Sequence, residues 1–106
     1  MTLNKLAEEI HNNSVKHGWY EEDRTLGDII SLCHCELSEA IEAYRNNEPL
    51  EWDNKGKPDG IAVEMLDCVI RIFDYLAFLG VDIDDIMNRK MEYNKARSYK
   101  HGGKVM

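Results

Sequence analysis

Apolar residues recur at helical spacing along almost the whole chain. Leu3, Leu6, Ala7, Ile10 and Val15 give one apolar side to a helix from Thr2 to about Lys16, and Gly18 stops it. A second helix opens at Thr25-Leu-Gly-Asp28, where a Thr is followed three residues later by an acid, close to a capping box. It runs to about Arg45. Asn46 to Pro58 holds both prolines, Gly56 and three asparagines. It reads as a loop, long enough to suggest a functional role. A third helix begins near Asp59 and ends at Gly80, a natural left-handed cap. Asp82 can cap a fourth, which is expected to end near Ser98. Residues 98–106 read as a flexible tail. No segment shows period-two alternation, and there are no repeats. The expectation is one all-α domain over 1–106.

The third helix is unusual. Between Ile61 and Leu79 nearly every residue is apolar, and the only charges are Glu64, Asp67, Arg71 and Asp74. At 100° per residue these four fall within about 80° of arc. That is narrow for a solvated face, so the helix is expected to be buried almost all round. Charges that face a core need a partner.

A chain of 106 residues can hardly cover such a helix on every side by itself. The expected architecture is therefore four-helix bundle-like and completed by dimerisation, as a dimer or a dimer of dimers. The formal net charge of −7 offers no general attraction to nucleic acid, whose binding rests on phosphate neutralisation by Lys and Arg. An anionic nucleotide can still bind where a divalent cation bridges the two. Glu64, Asp67, Arg71 and Asp74 interrupt the one candidate for a membrane span. Three cysteines, Cys33, Cys35 and Cys68, with no secretory segment at the N-terminus, point to reduced thiols and a cytoplasmic location.

The second helix carries Glu36 inside its apolar sector (Ile29, Leu32, Cys33, Leu37, Ala40, Ile41, Tyr44) and Glu39 at the edge of that sector. Glu64 and Asp67 repeat the spacing on the third helix. Side chains three apart lie about 5–6 Å from one another, so each pair can converge on one cation or bracket two. An acidic pair of this kind is common on solvated helices and alone means little. Two pairs, one on a helix with no wet face, mean more. A buried unpaired carboxylate costs several kcal/mol, against a total stability of about 5–15 kcal/mol for a small domain. Arg71 can compensate one acid but hardly four. Oxygen-only ligands suit Mg²⁺, or Mn²⁺, rather than Zn²⁺.

On the fourth helix Lys90, Asn94, Arg97 and His101 recur at steps of four, three and four. Alone they would read as a solvated helix end that complements the dipole. Beside a tetra-carboxylate site they become candidates to hold phosphate oxygens. Trp19 and Trp52, with His17 and Tyr20, are the side chains best suited to stack on a base, although ordinary packing explains each one singly. Glu8-x-x-His11 matches only half of a di-iron motif. Cys33-His34-Cys35 cannot chelate one ion from a helix, and Cys33 and Cys68 fit as small core residues. There is no phosphate-cradling Gly-rich loop.

Glu36-Leu-Ser-Glu39, then a loop, then Glu64-Met-Leu-Asp67 and Lys90-Met-Glu-Tyr-Asn94-Lys-Ala-Arg97-Ser-Tyr-Lys-His101 resemble the MazG-like nucleoside triphosphate pyrophosphohydrolases, over about Thr25 to Lys104. The resemblance implies an all-α oligomer in which Glu36, Glu39, Glu64 and Asp67 bind Mg²⁺. It implies that Lys90 and Asn94, with Arg97 less strongly, contact a nucleoside triphosphate. The products would be a nucleoside monophosphate and pyrophosphate. Many members carry a further Glu directly before the first acid, where this chain has Cys35, which leaves the general base unassigned. The alternative reading is a non-catalytic helical dimerisation module whose charges pair internally, with Arg71 bridging Asp67 and Asp74.

Overall fold

A computed structural model describes residues 1–97. The elements in order are α1 (Leu3–Lys16), a 3₁₀ turn (Trp19–Glu21), α2 (Leu26–Arg45), β1 (Trp52–Asn54), β2 (Lys57–Asp59), α3 (Ile61–Phe78) and α4 (Ile83–Ala96). Among the described residues the regular structure is helical apart from one small hairpin. The tail read as flexible, including His101, lies outside the described residues.

The helix ends are where local chemistry puts them. Thr25 and Asp28 form a reciprocal capping box at the start of α2. Asn47, at φ 57°, closes its far end, with the Glu48 N–H donating to the Ala43 carbonyl at 3.0 Å. Gly80, at φ 74°, ends α3 in the same way. Gly60 is required at the start of α3. Its φ is 123°, and a Cβ there would lie 2.5 Å from the Leu50 carbonyl oxygen. That close approach lets the Leu50 carbonyl accept from the Ala62 N–H at 2.9 Å, so the preceding loop satisfies an orphan donor of α3.

The Asn46–Pro58 segment differs from the expected loop. Trp52–Asn54 pairs antiparallel with Lys57–Asp59 around Lys55 and Gly56, both at positive φ, the backbone of a tight hairpin turn. Strands of three residues are too short to display alternation, which is why periodicity missed them.

α3 lies between α1 and α2, antiparallel to both. Along α2 and α3 the contacts run Cys33 with Cys68, Glu36 with Arg71 and Glu39 with Glu64. On the other side His11 meets Asp74, and Asn4 meets the start of α4. The small core holds Ile29, Cys33, Cys68 and Tyr75, with Trp19 and Tyr20 packed against it.

The arrangement of α3 within one chain is the reverse of a simple amphipathic helix. The charged stripe faces inward, with Asp74 only 7% exposed, while Leu66 on the same helix is 58% exposed. The expectation of near-complete burial is therefore not met by one chain. Leu37, Ile41, Val69, Met87 and Met91 are exposed as well. The radius of gyration, 16.6 Å, exceeds the roughly 13 Å of a compact domain of this length. The single chain is also not a four-helix bundle. Among the described residues α3 packs closely against both α1 and α2, whereas α4 has its main contact with α1.

α1 and α4 cap each other at that junction. Asp84 accepts from the Leu3 and Asn4 backbone N–H groups at 2.9 and 3.2 Å. Asn4 in turn accepts from the Ile83 N–H at 2.7 Å and donates to Asp82 at 2.9 Å. Two helix N-termini thus share one set of side chains. Asp84→Ala is expected to cost about 1–2 kcal/mol. Urea unfolding of the variant against the parent chain checks this, and an unchanged midpoint would show the junction to be dispensable.

Candidate metal centre

The two acidic pairs meet between α2 and α3. Glu36, Glu64 and Asp67 each offer a carboxylate oxygen, and the three atoms lie within 4.8 Å of one another. All three residues are partly buried. Glu39 stands at the exposed rim, hydrogen-bonded to Glu64. The geometry follows from helix spacing: residues three apart share a face, and antiparallel packing turns the two faces together.

Glu64 and Asp67 are the perturbed acids of the cluster. Burial pushes the Glu64 carboxyl up to about 7, and the hydrogen bond with Glu39 and the charges of Glu39, Asp67 and Glu36 add to it. Glu64 lies in the first turn of α3, where the helix dipole favours a carboxylate, yet burial and its neighbours win. Asp67 is raised by burial and then by Glu36 and Glu39, while Arg71 and Lys57 pull the other way.

Arg71 makes the one ion pair to this cluster among the described residues. Its Nη2 donates to Glu36 Oε1 at 2.7 Å. Arg71 therefore does not bridge Asp67 and Asp74. Asp74 is satisfied separately: its Oδ1 accepts from the Tyr20 hydroxyl at 3.0 Å and meets His11 Nδ1 at 2.9 Å. Burial and that hydrogen bond hold the Tyr20 phenol well above its usual range.

A cavity of about 600 Å³ opens beside the acids, lined by Trp19, Glu36, Asp67, Arg71 and Asp74, with Asn13 and Ser14 of α1. Arg24 lies over the Trp19 ring at 3.9 Å from its centroid and Arg71 at 5.1 Å. One ring face expected to receive a base is thus already covered by a guanidinium. Trp19 Nε1 and Arg71 Nε are buried without a hydrogen-bond partner among the described residues. A buried N–H left unmade costs about 1–3 kcal/mol, so both are donors in want of an acceptor.

The other expected site residues are placed elsewhere. Lys90, Asn94 and Arg97 are exposed on the projecting α4, with Lys90 and Arg97 at 5.1 and 5.9 Å from the Tyr93 ring centroid. None of them lines the cavity, so within one chain the basic stripe does not join the acids. His17 is exposed and its Nδ1 lies 2.7 Å from the Asn13 carbonyl oxygen, at the end of α1. It was expected to stack on a base, and it is not among the residues that line the cavity. Sequence reading missed Lys57, Asn13 and Ser14. Lys57 belongs to the hairpin, and nothing in its local pattern signals that its charge reaches Asp67.

The raised Glu64 pKa predicts a pH dependence in metal-free protein. In the window between 4.5 and about 7 the folded chain keeps a proton that the unfolded chain releases. The destabilising charged form therefore dominates above about 7, and stability from this group grows as the pH falls toward 4.5. Glu64→Gln is expected to raise the melting midpoint by a few degrees at pH 8 and by almost nothing at pH 5. Thermal melts in chelator across this range check it, and equal midpoints at pH 8 would contradict it.

The chain matches no protein-family model, no curated protein and no solved structure.

Proposed function

We propose that the protein is a Mg²⁺-dependent nucleoside triphosphate pyrophosphohydrolase that cleaves between the α and β phosphates. The observation that carries this reading is the convergence of Glu36, Glu64 and Asp67 oxygens within 4.8 Å. Four carboxylates face a single guanidinium there, and burial, with the neighbouring acids adding to it, pushes the Glu64 carboxyl up to about 7. Such a set is short of positive charge and offers only oxygen donors, which fits Mg²⁺ or Mn²⁺. The resemblance of Glu36-x-x-Glu39 and Glu64-x-x-Asp67 to the MazG-like motifs points the same way.

Glu36, Glu64 and Asp67 would hold the ion. When bound, Mg²⁺ would neutralise polyphosphate charge and acidify a nearby water. Glu39 is at the rim and outside the three-oxygen cluster, where it would take the proton of an attacking water once its hydrogen bond with Glu64 is given up. The water oxygen bonds to the α-phosphorus, the bond from that phosphorus to the bridging oxygen breaks, and pyrophosphate leaves. The cavity beside the acids, with Trp19 and Asn13 in its wall, is the place for the nucleoside. Lys90, Asn94 and Arg97 serve such a site only where α4 reaches a second copy of the chain. The exposed apolar sides of α2, α3 and α4 support a homodimer or homotetramer.

One observation favours the non-catalytic alternative: the Glu36–Arg71 pair partly satisfies the cluster without metal. The two readings separate in a thermal melt. A metal centre responds specifically to Mg²⁺ or Mn²⁺ through binding linkage, and an internal ion-pair network does not.

With Mg²⁺ and a panel of canonical and damaged deoxynucleoside triphosphates, pyrophosphate release is expected for at least one substrate. Asp67→Asn and Glu39→Gln are expected to lower it by about a hundredfold or more while the helical circular dichroism persists. No turnover with any substrate at any Mg²⁺ concentration would end this reading. Sedimentation at micromolar concentration is expected to give a dimer or tetramer. A folded, soluble monomer would remove the oligomer from it.

A further inference from the structure

Arg71 is placed to do more than neutralise a neighbour. Its guanidinium meets Glu36 through Nη2 alone, at 2.7 Å, while Nε is buried and unpartnered. Nε and Nη2 form one side of the guanidinium fork, the edge that can grip two oxygens of one anion at once. Glu36 fills half of that edge. Arg71 also lines the cavity with Trp19, Asp67 and Asp74, and Trp19 Nε1 is a second unpartnered donor in that wall. Asp67 and Asp74, one turn either side of it on α3, make no ion pair with the guanidinium among the described residues, and Asp74 is engaged with Tyr20 and His11.

We propose that Arg71 is the polyphosphate-binding residue of this cavity, and that its pairing with Glu36 is the metal-free state of a two-state contact. The proposal rests on the reading of Glu36, Glu64 and Asp67 as a metal centre. Arg71 and a divalent cation then need the same carboxylate. A dication beside Glu36 removes the negative charge that holds the guanidinium and adds like-charge repulsion. Arg71 is released with its full Nε–Nη2 edge open to the cavity, where phosphate oxygens satisfy both donors. The order of binding follows: metal first, anion second. A free polyphosphate meets four carboxylates in the metal-free chain, with the one fork already engaged.

Two titrations test this, with Mn²⁺ alone and then with pyrophosphate, on the full chain and on Arg71→Gln and Arg71→Lys. Calorimetry reads binding, so turnover is not needed. In the parent chain Mn²⁺ is expected to bind and pyrophosphate to bind only after it. Arg71→Gln is expected to bind Mn²⁺ more tightly, because a competing cation is gone. Its Mn²⁺-loaded form is expected to bind pyrophosphate about tenfold or more weakly. Arg71→Lys keeps the charge, loses the fork and should fall between the two. Unchanged pyrophosphate affinity in a folded, Mn²⁺-loaded Arg71→Gln protein would overturn the proposal. Should that variant fail to fold, parental pyrophosphate affinity in Arg71→Lys would do the same. A parent chain that takes up no Mn²⁺ would instead overturn the metal-centre reading beneath it.

Discussion

The structure turns on like charges held together between two antiparallel helices. Glu36 and Glu39 from α2 face Glu64 and Asp67 from α3, and a single guanidinium stands among them. Partial burial raises the proton affinity of Glu64 and Asp67, and the neighbouring carboxylates add to the effect. A fold gains nothing from such an arrangement by itself. Hydrophobic residues at those positions would pack the same two helices at lower cost. The proposed metal centre supplies a reason for keeping acids there.

The same stripe of α3 handles its charges in two ways, and the contrast is informative. Asp74 is the more enclosed, yet its Oδ1 is engaged twice: the Tyr20 phenol and the His11 imidazole meet it from the α1 side, and Phe78 packs against both rings. That end reads as structure, a buried polar group satisfied by hydrogen bonds that pin the turn after α1 onto α3. Two turns away Glu64 and Asp67 have no such donors and titrate high instead. Trp19 Nε1 and Arg71 Nε, lacking acceptors, sit between these ends in the wall of one cavity. Surplus acceptors on one side and donors without acceptors on the other are the contrast on which the proposed function rests.

The apolar residues on the outer sides of α2, α3 and α4 belong to the same economy of surface. A helix whose charges face inward must turn its apolar residues outward, and one chain of this length has nothing left to cover them. The thin core, in which α4 packs mainly on α1 among the described residues, goes with that inversion. It also explains why Lys90, Asn94 and Arg97 stand apart from the acids they were expected to serve. α4 is fixed at its first turn by Asn4, Asp82 and Asp84, and its basic end points away from the packed helices.

Helix existence, caps and the inward acids were legible in the sequence because each rests on local spacing. Thr25 with Asp28, Gly18, Gly80 and Asp82 act within a few residues of themselves, and a three-residue step on a helix sets which side chains share a face. The charged stripe on α3 needed no tertiary information. The three-residue strands of the hairpin were too short for periodicity, and the reach of Lys57 toward Asp67 depends on where a loop folds back. Periodicity also could not say that Arg71 would choose Glu36 over Asp67 and Asp74, since that choice is made across two helices. The sequence alone thus determined the elements and the carboxylates they present, because those follow from neighbours along the chain. Only the tertiary structure decided which charges meet, which donors are left without acceptors and which apolar sides stay open, because those depend on the register and direction in which distant helices pack.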